Sequence, residues 1–162
     1  MAMGQGVSVD SEFWNRPRRL YLVRGGEWAR VTYFADGQLV PEGYQACCYL
    51  LRDVQANVVG AMDIRLLDAL CGAQGYLSAF GIDVPWEATS GLRTARTNAT
   101  TEGAVRDSEH LYGRATDGRF PGIPSDKQAA LARMYATGGL GWYPARNFCH
   151  LDVGRFRSWL GT

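Results

Sequence analysis

The sequence predicts an α+β fold, on three observations. Residues 19–23 and 28–34 alternate apolar and polar side chains and are rich in strand formers. Between residues 41 and 81 the apolar positions recur at helical spacing instead. The last third returns to short extended runs, ending in a strand over residues 148–153. At 162 residues the chain is long enough to bury a core without disulfide or metal staples.

In chain order, residues 1–17 are polar and turn-rich and form an expected surface arm, leaving 18–162 as a single domain. Gly25-Gly26 separates the two alternating runs into a β-hairpin, and Asp36-Gly37 marks the next turn. Pro41 and Glu42 suit a helix first turn, with Tyr44, Cys47, Cys48, Leu51 and Val54 along one face. Asp63 is the expected cap of a second helix, with Leu66, Leu67, Leu70 and Leu77 inward and Gly81 at its end.

Residues 84–89 read as extended, Pro85 favouring a sheet edge or a strand start. A polar loop is expected over 95–107. Pro124 to Lys127 opens a third helix running through Leu131 and Met134 to about Thr137. The glycine-rich run 138–144 then leads into the final strand.

Composition excludes several classes of partner. A formal charge of +1 provides no basic field, so no nucleic acid is expected. No apolar run approaches the length of a membrane span. The opening residues 1–6 lack a basic and an apolar region, so no signal peptide is expected in this chain. Cys47, Cys48, Cys71 and Cys149 form no C-x-x-C pair, which argues against a zinc knuckle. They read as buried thiols, with a bond from Cys47 or Cys48 to Cys71 as the alternative in an oxidising compartment.

Chemistry concentrates in two segments, 108–117 and 147–152, which hold both histidines of the chain. His110, Asp117 and His150 make a three-ligand set, and catalytic zinc takes three protein ligands and keeps a fourth position for water. On a strand, residues two apart share a face, so Asp152 points the same way as His150 while Cys149 and Leu151 point the other way. This excludes a cysteine-peptidase reading built on adjacent Cys149 and His150. It makes Asp152 either an orienter of His150 or a general base. Gly113 interrupts helical continuation, which puts His110 at the end of a turn and Asp117 on a strand over 114–119.

Four spaced motifs then form a pattern. They are Ser90-Gly91-Leu92-Arg93-Thr94; Ser108-x-His110-x-x-Gly113-x-Ala115-x-Asp117; Gly139-x-Gly141-Trp142-Tyr143; and Asn147-Phe148-x-His150-x-Asp152-x-Gly154. Together they resemble the zinc D-Ala-D-Ala peptidase superfamily, in the bacterial branch that cuts peptidoglycan peptides. The resemblance covers about residues 18–159. It implies a hedgehog/DD-peptidase-like fold, with a small antiparallel sheet carrying the metal and helices packed on one side.

It further implies zinc on His110, Asp117 and His150, with Arg93 holding a substrate carboxylate or polarising the scissile carbonyl. Ser108 would support the site through its hydroxyl. Many relatives carry an acidic base three residues before the last histidine ligand. Asn147 stands there and cannot take a proton, which leaves Asp152 first and Glu109 second as substitutes. Trp142, Tyr143 and Tyr112 line either the substrate groove or the core.

The implied activity is hydrolysis of peptidoglycan stem-peptide or cross-link amides by an activated water, with an endopeptidase favoured over a carboxypeptidase. The alternative is a zinc-stabilised cell-wall-binding module with little or no turnover. Either acts in the periplasm or outside the cell, as a monomer, with its signal removed or with export by another route, such as delivery by a secretion system or a phage.

Overall fold

The computed structural model describes residues 14–135 and 138–162. Strands β1 (Arg18–Arg24) and β2 (Glu27–Ala35) form the expected hairpin, with Arg24 opposite Glu27 across a two-residue loop. Gly25 and Gly26 both have positive φ, the condition for a turn that follows the natural twist of the strands. A second tight turn at Asp36-Gly37 leads to the short β3 (Gln38–Leu39).

Helix α1 (Pro41–Leu50) begins with proline at its first turn, as expected. It stops at Leu50, so Val54 lies beyond it and is exposed. The cause is Asp53, whose backbone bridges Val58 and whose carboxylate accepts from the N–H of Ala56, turning the chain back on itself. Helix α2 (Ile64–Ala79) is capped by the Asp63 carboxylate, which accepts from the N–H of Arg65, and buries Leu66, Leu67, Leu70 and Leu77.

Strands β4 (Trp86–Ser90), β5 (Ala115–Arg119), β6 (Gly139–Tyr143), β7 (Phe148–Asp152) and β8 (Arg157–Leu160) complete one eight-stranded sheet, in the order β3-β2-β1-β4-β5-β7-β6-β8. It is a mixed sheet, which corrects the small antiparallel one expected: β1 runs parallel to β4, and β6 parallel to β8. Pro85 precedes a strand start, and β4 lies inside the sheet rather than at its edge. The segment 95–107 is not all loop, because Thr94 caps a short helix, α3 (Ala95–Thr100). Helix α4 (Ser125–Tyr135) buries Leu131 but leaves Met134 exposed, and its expected end at Thr137 lies outside the described residues. Most of the expected arm, residues 1–13, lies outside them as well.

The core gathers on one face of the sheet. Leu20, Leu22, Trp86, Ala88, Cys149 and Leu151 from the strands meet Cys47, Leu51, Leu66, Leu70 and Leu131 from the helices and the turn after α1. Trp86 and Phe120 make an edge-on pair 5.0 Å apart at its centre, worth about 0.5–1.5 kcal/mol beyond their burial. All four cysteines are buried and free, which selects the thiol reading over the disulfide. Among the described residues, no helix is long and apolar enough to cross a membrane.

Candidate metal centre

The opposite face of the sheet carries the chemistry. Asp117 on β5 pairs with His150 on β7, so the two side chains rise next to each other from adjacent strands. His110 arrives from a 3-10 turn, Glu109–Tyr112, that Gly113 closes in the left-handed conformation. A side chain at Gly113 would strike the carbonyl of Ala61, so glycine is required there both for its φ and for space. Ser108 caps this turn, its Oγ accepting from the N–H of His110 at 3.4 Å. It therefore acts on the backbone of the turn.

His110, Asp117 and His150 come together, each buried. Nε2 of His110 lies 3.3 Å from Nδ1 of His150 and 3.3 Å from Oδ2 of Asp117, and Nδ1 of His150 lies 2.8 Å from Oδ1 of Asp117. Tetrahedral ligands at about 2.0–2.1 Å from a zinc ion stand roughly 3.3 Å apart.

The partners of the remaining ring nitrogens decide which atoms face inward. Nδ1 of His110 is 2.6 Å from the carbonyl of Gly91, which can only accept, so that nitrogen carries the proton and Nε2 presents a lone pair. Nε2 of His150 is 2.9 Å from Oδ2 of Asp152. Burial works against the Asp152 charge, but His150 and the N–H groups of Gly139 and Gly154 hold its pKa well below the usual carboxylate range. That carboxylate accepts, so Nε2 of His150 carries a proton, and Nδ1, 2.8 Å from the Asp117 carboxylate, is the nitrogen turned inward, which offers a lone pair once a cation takes the place of its proton.

Two inward imidazole nitrogens and a carboxylate thus converge, a donor set that fits a divalent cation in place of the proton between them. The electrostatics agree. Burial opposes a charge on His150, yet Asp117 and Asp152 raise its pKa, so this place favours positive charge. Burial likewise opposes ionisation of Asp117, and the two imidazoles outweigh it and hold the carboxyl ionised.

Arg93 is brought to the cluster by three backbone ties. Leu92 donates to the Leu51 carbonyl, Arg93 to the His110 carbonyl, and Thr94 to the Asp53 carboxylate. Its Nη2 donates to Oδ2 of Asp117 at 2.6 Å and its Nε to Ser90 Oγ at 2.9 Å.

Asp152 reaches His150, but on the ring nitrogen turned away from Asp117, and its side chain has no exposed surface. Its oxygens already accept from Gly139 N–H, Gly154 N–H and two nitrogens of Arg157. A general base needs an oxygen open to the substrate, so the geometry corrects that expectation and leaves the orienting one. Glu109 faces Gly154, with Arg114 3.8 Å away. Asn147 is exposed at the end of a 3-10 turn, Pro144–Arg146, with φ +51, a conformation asparagine tolerates better than most residues.

Strand alternation separates the aromatics. Trp142 pairs with Cys149 and faces the core, where its Nε1 donates to Ser125 Oγ, so it leaves the groove list. Tyr143 pairs with Phe148, stacks on it at 4.4 Å, and shares the face of His150. Tyr112 is exposed and donates to Asp107.

Two residues on this face escaped the sequence reading, Trp159 and Arg157, because β8 was not foreseen. Trp159 lies 5.3 Å from the His150 ring and donates to the Tyr143 hydroxyl. Its indole covers Gly141, and the Arg157 guanidinium covers Gly139, where any side chain would collide with them. The matched spacing of Gly139-x-Gly141 and Arg157-x-Trp159 was the available signal.

Comparison with known proteins identifies the family. A peptidase M15 family model described as peptidoglycan L,D-endopeptidase MepK matches residues 12–159. The probable peptidoglycan L,D-endopeptidase MepK of Haemophilus influenzae is 36% identical over 118 residues, which is 70% of this chain and 62% of that protein. The peptidoglycan L,D-endopeptidase MepK of Escherichia coli K12 is 33% identical over 150 residues, 89% of this chain and 81% of that protein. The Shigella flexneri protein of the same name matches to the same extent. The chain thus spans less than two thirds of the Haemophilus relative. No solved structure gives a significant match. With the model covering nearly its whole length and the His-Asp-His cluster assembled, the chain belongs to the peptidoglycan L,D-endopeptidase MepK family of M15 peptidases.

Proposed function

We propose that this chain is a zinc-dependent peptidoglycan endopeptidase, cutting a stem-peptide or cross-link amide in the periplasm or outside the cell, on a single hedgehog/DD-peptidase-like domain. The observation that carries this reading is the convergence of two imidazole nitrogens and one carboxylate on a shared space beside Arg93. When bound by His110, Asp117 and His150, zinc would supply Lewis acidity and an activated water.

The chain's own residues do the rest. Asp152, held by Arg157 and two backbone N–H groups, fixes the His150 ring so that Nδ1 points inward. Gly91 does the same for His110 through its carbonyl. Arg93 steadies Asp117 and brings a cation next to the reacting amide, where it balances charge developing on the carbonyl oxygen. Tyr143, Phe148 and Trp159 form an aromatic wall on the same face that excludes water from one side of the peptide.

A second reading, a metal-stabilised wall-binding module with little turnover, draws on the enclosed Asp152 and on Asn147, which is no acid. Incubating purified sacculi with the zinc-loaded protein distinguishes the two. The enzyme reading expects new amino groups from the wild type and none from His150→Ala. Sacculus binding without amine release by the wild type would support the binding module.

A further inference from the structure

Next to the metal cluster lies a cavity of about 390 Å³, whose wall includes Asp117, Arg93, Ser90, Arg24, Arg146 and Asp53. Its size is in the range of sites for small groups. Three arginines face two aspartates here, and the pairing of these charges is uneven. Asp117 belongs to the metal cluster and already holds Arg93. Asp53 accepts from the N–H groups of Ala56 and Thr94 and is enclosed.

Arg24 donates to the carbonyls of Leu50, Arg52 and Thr89, all neutral acceptors, so no hydrogen-bonded carboxylate balances it. Its pKa is lowered by burial first and then by the nearby Arg52 and Arg93, which Asp53 and Glu27 only partly offset. Arg146 is exposed and rests over the Phe148 ring at 5.0 Å, with no ion pair among the described residues. Phe148 is in turn stacked on Tyr143, so Arg146 stands at the open end of the aromatic wall that leads to His150.

We propose that this cavity is a carboxylate subsite, in which Arg146, backed by the positive field of Arg24, holds a free carboxylate on the substrate residue adjoining the scissile amide. The subsite rests on the peptidase reading above. The cavity is lined by Asp117 of the cluster and by its partner Arg93, so a carboxylate there adjoins the place of the bond to be cut. Arginine provides two parallel donors that match a carboxylate, and its exposed guanidinium is free to turn toward the ligand. An amide in the same place would put more N–H donors against arginine donors and lose both the charge and the second acceptor.

The test uses the zinc-loaded protein and two synthetic L,D-linked peptides that differ only in carrying a carboxylate or a carboxamide on that residue. The wild type is expected to cleave the carboxylate peptide with a kcat/KM about 10-fold or more higher, most of it in KM, as a charge-assisted hydrogen bond predicts. R146Q should bring that ratio to near one, and R146K should restore part of it. Equal cleavage of both peptides by the wild type, or an unchanged preference in R146Q, would overturn the subsite and leave the peptidase reading standing. Cleavage of neither peptide by the wild type would overturn both.

Discussion

The Asp152 carboxylate lies 2.9 Å from Nε2 of His150, and the other nitrogen of that ring lies 2.8 Å from Asp117. One imidazole therefore joins an enclosed acid to the His-Asp-His cluster. Asp152→Asn removes the charge that keeps Nε2 protonated. Zinc affinity should fall about 10- to 100-fold, with kcat per bound zinc changed much less. Competition titration against a chelating dye, together with turnover at saturating zinc, checks this. Lost turnover at unchanged zinc affinity would restore the proton-acceptor role.

Gly141 faces the indole of Trp159, with no room for a methyl group between them. Gly141→Ala should cost about 1–3 kcal/mol, as overpacking does, and loosen zinc by pushing Trp159 off the His150 ring. Thermal unfolding of the zinc-loaded variant reads the first effect, and tryptophan fluorescence on zinc addition reads the second. A variant as stable as the wild type would mean that β8 does not pack as described.

Cys149 and His150 are neighbours on β7 with opposite fates, one in the core and the other in the cluster. Cys149→Ala should cost roughly 1 kcal/mol of stability through lost packing and leave zinc content and turnover in place. Denaturant unfolding beside a zinc assay separates these. Loss of zinc with stability intact would put the strand phase in error.

Acid stability should depend on Asp53, which ties Thr94 and so the Arg93 segment to the turn after α1. Burial works against its charge, but the N–H groups of Thr94 and Ala56 and the Thr97 side chain outweigh it and hold its pKa at about 2. An unfolded aspartate titrates near 3.9. The folded pKa is the lower one, so the stabilisation is complete above about pH 4 and disappears as pH falls toward about 2. Asp53→Asn should be less stable at neutral pH and lose less on acidification through that window. Unfolding free energy measured from pH 7 down to pH 2 checks both signs.

The part of the site legible in the sequence was the part written in residue type and spacing. His110, Asp117 and His150 are rare ligand types, and period-two alternation on β7 separated Asp152 from Cys149 correctly. The hairpin and the Asp63 cap were legible because glycine pairs and capping aspartates act locally. What escaped was set by distant partners. Strands β6 and β8 contain glycine and charge where β-formers are expected, and they become strands because β6 pairs with β7 on one side and with β8 on the other. Whether Asp152 is open or enclosed depends on Arg157 and on the backbone of Gly139, five and thirteen residues away. The apolar spacing that extended α1 to Val54 could not register that Asp53 is tied to Thr94, 41 residues on.

The most direct test is the zinc content of the purified protein after loading and dialysis, measured by elemental analysis for the wild type, His110→Ala and His150→Ala. The expected result is about one zinc per wild-type chain and almost none in either variant, with all three folded by circular dichroism. A folded wild type that holds no zinc, or a His110→Ala protein that retains a full equivalent, would contradict the metal centre.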